Sequence, residues 1–159
     1  MHILVAEKPG EANKAKGDLL EELAGHLLKA QDYEVERNIR NTGVEIDLLC
    51  KHKTVKGLEI YVECKAYDED KKVQAQTITS LMGVRGFKGY SQAWLISTSE
   101  IGKEAKGIID ELEKGADSDK FAFYTPSRLV NALIGAKIII SDEICRQAVI
   151  NIVQNPKKL

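Results

Sequence analysis

The sequence predicts an α/β fold, a three-layer sandwich in which a central mixed β-sheet is flanked by helices. Three observations predict it. A leucine-striped helix leads, three strand-like runs then follow one another directly, and beyond them strands alternate with amphipathic helices. Consecutive strands favour antiparallel pairing, whereas strand–helix alternation favours parallel strands with helices on the sheet faces.

Residues 1–13 read as a loose leader, because Glu7-Lys8-Pro9-Gly10 interrupts regular structure. From Lys14 to about Gln31, Leu19, Leu20, Leu23, Ala24, Leu27 and Leu28 recur at helical spacing as one stripe. Tyr33–Arg40 reads as a strand closed by the turn Asn41-Thr42-Gly43. Val44–His52 and Leu58–Ala66 are the next two strands, joined by the loop Lys53–Gly57. Asp68-Glu69-Asp70 is a solvated acidic loop. Val73 to about Val84 is a second helix, followed by the basic, glycine-bearing stretch Arg85–Gly89.

Gln92–Thr98 is a strand built on Ala93-Trp94-Leu95-Ile96, with Trp94 expected in the core. Ser99 is expected to cap a helix running to about Lys114, whose inner face is Ile101, Ala105, Ile108, Ile109 and Leu112. Phe121–Tyr124 is a short strand. Thr125 and Pro126 then open a helix as N-cap and first helical residue, and Gly135 ends it. Ile138-Ile139-Ile140 reads as extended, and Ser141 as the cap of a last helix ending near Asn155-Pro156. The expected organisation is a leader over 1–13, a core over 14–125 and a helical extension over 126–159.

The bulk properties narrow the function classes. At 159 residues the chain suits one domain that needs no staples to fold. No apolar run approaches the length of a membrane span, and the N-terminal run His2–Ala6 is too short and too weakly basic for a secretory signal. Cys50, Cys64 and Cys145 are odd in number and form no CxxC pair, which fits reduced thiols in a cytoplasmic protein. His2, His26 and His52 lack zinc-ligand spacing. The net charge of −1 counts against a strong autonomous nucleic-acid binder, yet it leaves room for a local basic rim around an acidic site.

The chemistry concentrates on two strands. Alternation puts Val44, Ile46, Leu48 and Cys50 on one face and Glu45, Asp47 and Leu49 on the other. On the next strand Glu63 and Lys65 share a face, opposite Ile60, Val62 and Cys64. If the strands pair, Asp47, Glu63 and Lys65 converge. Two carboxylates at close range repel unless a cation intervenes. Mg²⁺ suits such a site, since it takes oxygen ligands and often only one or two protein carboxylates. The backbone carbonyl of Cys64 is a further candidate ligand. A bound cation would make a nucleophile from water and stabilise charge on a phosphoryl oxygen, and Lys65 would orient the water and offset charge at phosphorus. The set suits phosphodiester hydrolysis, although Asp47 facing water and Glu63–Lys65 as a surface ion pair would explain the same letters.

Asp47 followed by Glu63-Cys64-Lys65 resembles the D…(D/E)xK signature of the PD-(D/E)xK, restriction-endonuclease-like superfamily. Gly17-Asp18-Leu19-Leu20-Glu21 is similar to the G-x-x-x-E start of its Mrr-like branch. The strand Trp94–Ser99 with its following helix is similar too, and the likeness spans roughly residues 14–115. Ile46 stands where many members have the Pro of "PD", and Glu63 where Mrr-like members often have Gln. The resemblance implies a core of helix, three strands, helix and strand, dependence on Mg²⁺, for which Mn²⁺ is a candidate substitute, and cleavage of DNA. It also implies an acid on the first helix facing the metal. Glu21 borders the leucine stripe and Glu22 projects away, so Glu21 is the candidate, acting through a water on the cation. An ordinary acid in the helix's first turn would look the same.

Other residues are weaker candidates. Gln74 falls in the stripe of Val73, Ile78, Leu81 and Met82, with Gln76 opposite, so core packing with a backbone hydrogen bond is its expected role and contact with substrate the alternative. Lys71, Lys72, Arg85 and Lys88, with Gly83, Gly86 and Gly89, read equally as a phosphate-binding surface and as a solvated loop. Tyr67 could stack on a base. The expected function is therefore an Mg²⁺-dependent endodeoxyribonuclease in restriction or antiviral defence, acting on DNA as a homodimer or higher assembly. The alternatives are a Holliday-junction resolvase, an RNase, or an assembly module without activity. Asn155–Leu159 reads like a linker, which would make the chain an effector fused to a sensor or NTPase region.

Overall fold

The computed structural model describes residues 9–41, 44–67 and 71–139. Its elements are α1 (Pro9–Ala30), β1 (Tyr33–Asn41), β2 (Val44–His52), β3 (Glu59–Lys65), α2 (Ala75–Lys88), β4 (Gln92–Ser97), α3 (Lys103–Lys114), β5 (Phe121–Tyr124) and α4 (Pro126–Gly135). The five strands form one sheet in the order β1-β2-β3-β4-β5. The β1–β2 and β2–β3 pairs are antiparallel, whereas β3–β4 and β4–β5 are parallel. The expected mixed sheet is thus found, with its change of direction at β3, the strand carrying Glu63 and Lys65.

Two apolar layers hold the sheet. Beneath α1 and α4 lie Leu48, Cys50, Ile60, Val62, Trp94 and Ile96, packed by Leu20, Leu27, Leu28, Leu129 and Leu133. On the other face Tyr61, Ala93, Leu95 and Phe123 pack against Ile78, Leu81, Ala105 and Ile109 of α2 and α3. Leu48 is completely buried and adjoins Asp47 in sequence. Leu48→Ala should cost about 2–5 kcal/mol, the range for truncating a buried leucine. Urea denaturation would register this as a lower midpoint with an unchanged slope.

Several expectations about the elements need correction. α1 already includes residues 9–13, ahead of the expected start at Lys14. Glu21 therefore lies in the middle of α1 and not in its first turn. Leu19 is 40% exposed and leaves the stripe; at about 100° per residue it points roughly 140° away from the buried Ala24.

α2 continues through Gly83 and Gly86, so Arg85–Lys88 is helix and not loop. Each glycine costs a helix about 1 kcal/mol, which the buried Ile78 and Leu81 offset. The stop is Gly89, whose φ of 73° closes the helix with a bond from its N–H to the Arg85 carbonyl. Ser99 does not cap α3, because the N-cap is Gly102. Thr125 is the N-cap of α4 with Pro126 at its start, but its side chain makes no capping bond. Ile138 and Ile139 form a bend packed against the α1/α4 core rather than a strand. The leader up to Lys8, the turn residues Thr42 and Gly43, the loop Asp68–Asp70, Ile140, the last helix expected from Ser141 and Cys145 lie outside the described residues.

Candidate active site

The simple alternation of β2 breaks at Asp47. Ile46 belongs to the core under α2 and α3, while Leu48 and Cys50 belong to the core under α1 and α4. The β1–β2 register passes from Arg37↔Leu48 to Ile39↔Ile46 across Asn38, which adopts a φ of 53°. The β2–β3 ladder runs from Lys51↔Glu59 to Leu48↔Val62. Just past it, the Asp47 Oδ2 accepts the Cys64 backbone N–H at 2.7 Å. The Asp47 carboxylate thus reaches the edge of β3 directly. Along a strand the N–H and C=O of one residue point to the same edge, so the Cys64 carbonyl also faces the Asp47 side. The Lys65 carbonyl faces the opposite edge, where it accepts the Thr98 N–H at 3.1 Å.

Glu63 and Lys65 project together from β3, and the Lys65 Nζ pairs with the Glu63 Oε1. The other carboxylate oxygen, Oε2, accepts the Tyr61 hydroxyl at 2.5 Å. Glu21 approaches from α1. Its side chain is 12% exposed and takes Arg37 Nη2 at 3.4 Å, while the Glu22 side chain is 59% exposed. The structure therefore brings Glu21, Asp47, Glu63 and Lys65 into one electrostatic neighbourhood and leaves Glu22 outside it.

The charges there are strained and mutually dependent. Asp47 is raised from the ordinary carboxylate value to about 6. Burial is the main cause, opposed by the Cys64 N–H and by Lys65, and reinforced by Glu63 and Glu21. Burial also works against the Lys65 ammonium, but the hydrogen bond and charge of Glu63, with Asp47 behind it, outweigh that effect and raise its pKa. Lys65 therefore stays protonated at neutral pH. The Cys50 and Cys64 thiols are both pushed up by burial, Cys50 to about 12, so neither is a thiolate or nucleophile near neutrality.

Two carboxylates and one backbone carbonyl do not make a closed cage. Among the described residues no group of three or more His, Cys, Asp or Glu side chains is suitably arranged to hold a metal ion. The donor set is all oxygen and sparse, which fits Mg²⁺ with its retained waters and does not fit a structural zinc site. A divalent cation would also offset the burial, and the carboxylate repulsion added to it, that raise Asp47.

A cavity of about 340 Å³ opens beside this group, lined by Glu63, Lys65, Tyr67, Gln74, Gln76 and Ser80 among others. A second, of about 460 Å³, shares Tyr67 and Gln74 and continues to Lys71, Lys72 and Gly102. Gln74 is thus exposed and not core. It precedes α2, outside the helical stripe, and its Nε2 donates to the Lys72 carbonyl at 2.9 Å. Gln76 lines the same cavity rather than the opposite side.

The proposed basic cluster is divided. Lys71 and Lys72 precede α2, whereas Arg85 and Lys88 lie in its last turn, about 20 Å along the helix at 1.5 Å per residue. Arg85 is tied to the Ser91 carbonyl through Nε at 3.2 Å and Nη2 at 3.1 Å, and it lies over Phe121. Lys88 lies over Phe87. Trp94 is buried as expected, and its indole N–H donates to Gln92.

Four supporting residues escape sequence reading. Tyr61 shares the Glu63–Lys65 face by strand alternation, and that signal was available. Ser97 and Ser99 are buried and brace the segment after β3. The Ser97 hydroxyl donates to the Lys65 carbonyl at 3.1 Å, and Ser99 Oγ accepts the Tyr67 N–H at 3.0 Å. A serine inside an apolar strand hints at such a role. Arg37 carries no local signal; it clamps Glu21 and the Asp18 carbonyl, the latter at 3.0 Å.

Residues 12–116 match the family model described as a restriction endonuclease, the Mrr catalytic domain. No curated protein matches the sequence. Among solved structures, the protein of unknown function AF1548 aligns at 16% identity with a TM-score of 0.57, over 84% of this chain and 75% of that one. The DNA modification-dependent restriction endonuclease AspBHI aligns at 16% identity and 0.52, over 86% of this chain and 40% of its own. The MspJI restriction endonuclease, in complex with a 27-mer oligonucleotide, aligns at 10% identity and 0.43, over 89% and 36%. The chain spans less than half the length of either enzyme.

Proposed function

Because the chain belongs to the restriction endonuclease family defined by the Mrr catalytic domain, we propose that it is an Mg²⁺-dependent endodeoxyribonuclease domain of restriction or antiviral defence. The observation that carries this reading is Asp47. A half-buried carboxylate is raised to about 6 while bonded to the Cys64 N–H and flanked by Glu63 and Lys65. An amide oxygen would serve the Cys64 N–H as well, and a hard cation gives the acid a purpose.

Asp47, Glu63 and the Cys64 carbonyl would hold the ion. Mg²⁺ bound there supplies Lewis acidity and lowers the pKa of water to give a nucleophile. Lys65, protonated, works as a fixed positive charge. It orients the attacking water and offsets negative charge growing on the scissile phosphate. Glu21, held by Arg37, accepts a hydrogen bond from water on the α1 side. The cavity lined by Tyr67, Gln74 and Ser80 admits the sugar–phosphate next to the scissile bond, and Lys71 and Lys72 meet a neighbouring phosphate.

A duplex presents two strands and each subunit one site, which favours a homodimer or larger assembly. The near-zero net charge fits an effector whose recognition elements, a sensor or NTPase region, lie elsewhere. Among the described residues no helix is long and apolar enough to cross a membrane, and we place the domain's work in the cytoplasm.

The substrate is tested by offering supercoiled plasmid, a four-way junction and single-stranded RNA in parallel with Mg²⁺. Plasmid nicking or linearisation is expected. Exclusive cutting of the junction would make the protein a resolvase, and exclusive cutting of RNA an RNase.

A further inference from the structure

We propose that Tyr61 is a positioning residue for Glu63, occupying one carboxylate oxygen so that only the other, on the Lys65 side, serves a cation and the site prefers Mg²⁺ to Ca²⁺. The inference rests on the proposed function and goes beyond it by assigning metal selectivity to a residue that is not a ligand.

On β3, residues 61, 63 and 65 share a face. Tyr61 is 3% exposed, and its ring stacks on Tyr90 with centroids 6.1 Å apart and an interplanar angle of 27°. Core packing therefore sets the direction of the hydroxyl before Glu63 is considered. That hydroxyl donates to Oε2 at 2.5 Å, and Lys65 holds Oε1. The last torsion of a glutamate is ordinarily broad; two partners on two different oxygens fix it here.

The consequence for the cation is geometric. With Oε2 occupied by the phenol, Oε1, which Lys65 also holds, is the one Glu63 oxygen left to serve a cation. Mg²⁺ demands compact octahedral coordination and accepts single carboxylate oxygens, whereas Ca²⁺ readily takes both oxygens of one carboxylate. Removing the phenol hydroxyl frees Oε2 and lets Glu63 rotate, which should weaken Mg²⁺ binding more than Ca²⁺ binding.

The test is Mn²⁺ binding to the full chain, read by electron paramagnetic resonance of free Mn²⁺, with Mg²⁺ and Ca²⁺ as competitors. Tyr61→Phe should raise the Mn²⁺ and Mg²⁺ dissociation constants about tenfold, at the low end for loss of a ligand's supporting partner. The Ca²⁺ constant should rise much less. In a Glu63→Gln background the same substitution should add nothing, since the coupled partner is already gone. Equal weakening of Mg²⁺ and Ca²⁺, or no weakening, would overturn the inference.

The wild type gives an independent readout. The Tyr61 hydroxyl proton should appear as a slowly exchanging downfield resonance that Glu63→Gln shifts; its absence would count against the bond however Tyr61→Phe folds. If the wild type binds no Mn²⁺ that Asp47→Asn abolishes, the metal site itself fails and takes this inference with it. If it binds Mn²⁺ and Tyr61→Phe behaves identically, only the inference fails.

Discussion

Replacing Asp47 by Asn should abolish cleavage and divalent-metal binding while making the metal-free protein more stable at neutral pH. The two effects share one cause. The carboxylate is raised to about 6, chiefly by burial, so the folded protein binds that proton more tightly than the unfolded chain does. Its stabilising contribution is complete below about pH 4 and is lost as pH rises through about 6. A shift of about two units corresponds to roughly 3 kcal/mol; partial exposure reduces this to about 1–2 kcal/mol. Asn keeps an oxygen for the Cys64 N–H and discards the charge. Urea denaturation in a chelator should therefore show Asp47→Asn above the wild type at pH 7.5, with the gap closing toward pH 4. Cleavage should fall beyond about 100-fold, since losing a ligand costs more than losing a ligand's supporting partner. A variant that is less stable at pH 7.5 and still active would contradict both parts.

Lys65→Ala should separate binding from chemistry. Lys65 is a protonated cation held by Glu63. Its removal loosens the hold on Glu63 Oε1 but also takes a positive charge from beside the ion, and Tyr61 still holds Oε2, so Mn²⁺ binding should change little. The cleavage rate at saturating metal should nevertheless fall about 100- to 1,000-fold, as when one preorganised donor is removed from a charge-stabilising site. Single-turnover cleavage of a labelled duplex gives the rate, and the Mn²⁺ titration gives the binding. Loss of both together would make Lys65 a structural prop for Glu63 rather than a participant in the reaction.

Much of this was legible from residue order. Strand alternation put Glu63 with Lys65, and antiparallel β2–β3 pairing brought Asp47 to them, because a period of two is set by backbone geometry. The helical projection separates Glu21 from Glu22 as their exposure does, 12% against 59%, since a central turn of α1 obeys about 100° per residue whatever its ends do. What escaped depended on the third dimension or on competition between small terms. Arg37 reaches Glu21 across 16 positions, a contact that no local pattern encodes. Asp47 reaches the β3 edge through a break in alternation beside Asn38, where an irregular φ overrides the strand period. α2 runs through two glycines because tertiary burial of Ile78 and Leu81 outweighs propensity, and Ser99, which has the chemistry of a cap, is used instead to brace the chain after Lys65. The metal-site roles of Glu21, Asp47, Glu63, Cys64 and Lys65 remain the proposal to be tested, whereas their convergence is a feature of the fold.

Cleavage of supercoiled plasmid by the wild type in Mg²⁺, beside the same reaction in EDTA and the same reaction with Asp47→Asn, tests that proposal most directly. Nicked or linear DNA in the first lane alone is the predicted result. Equal cutting in EDTA, or by Asp47→Asn, would contradict a metal-dependent site built on Asp47.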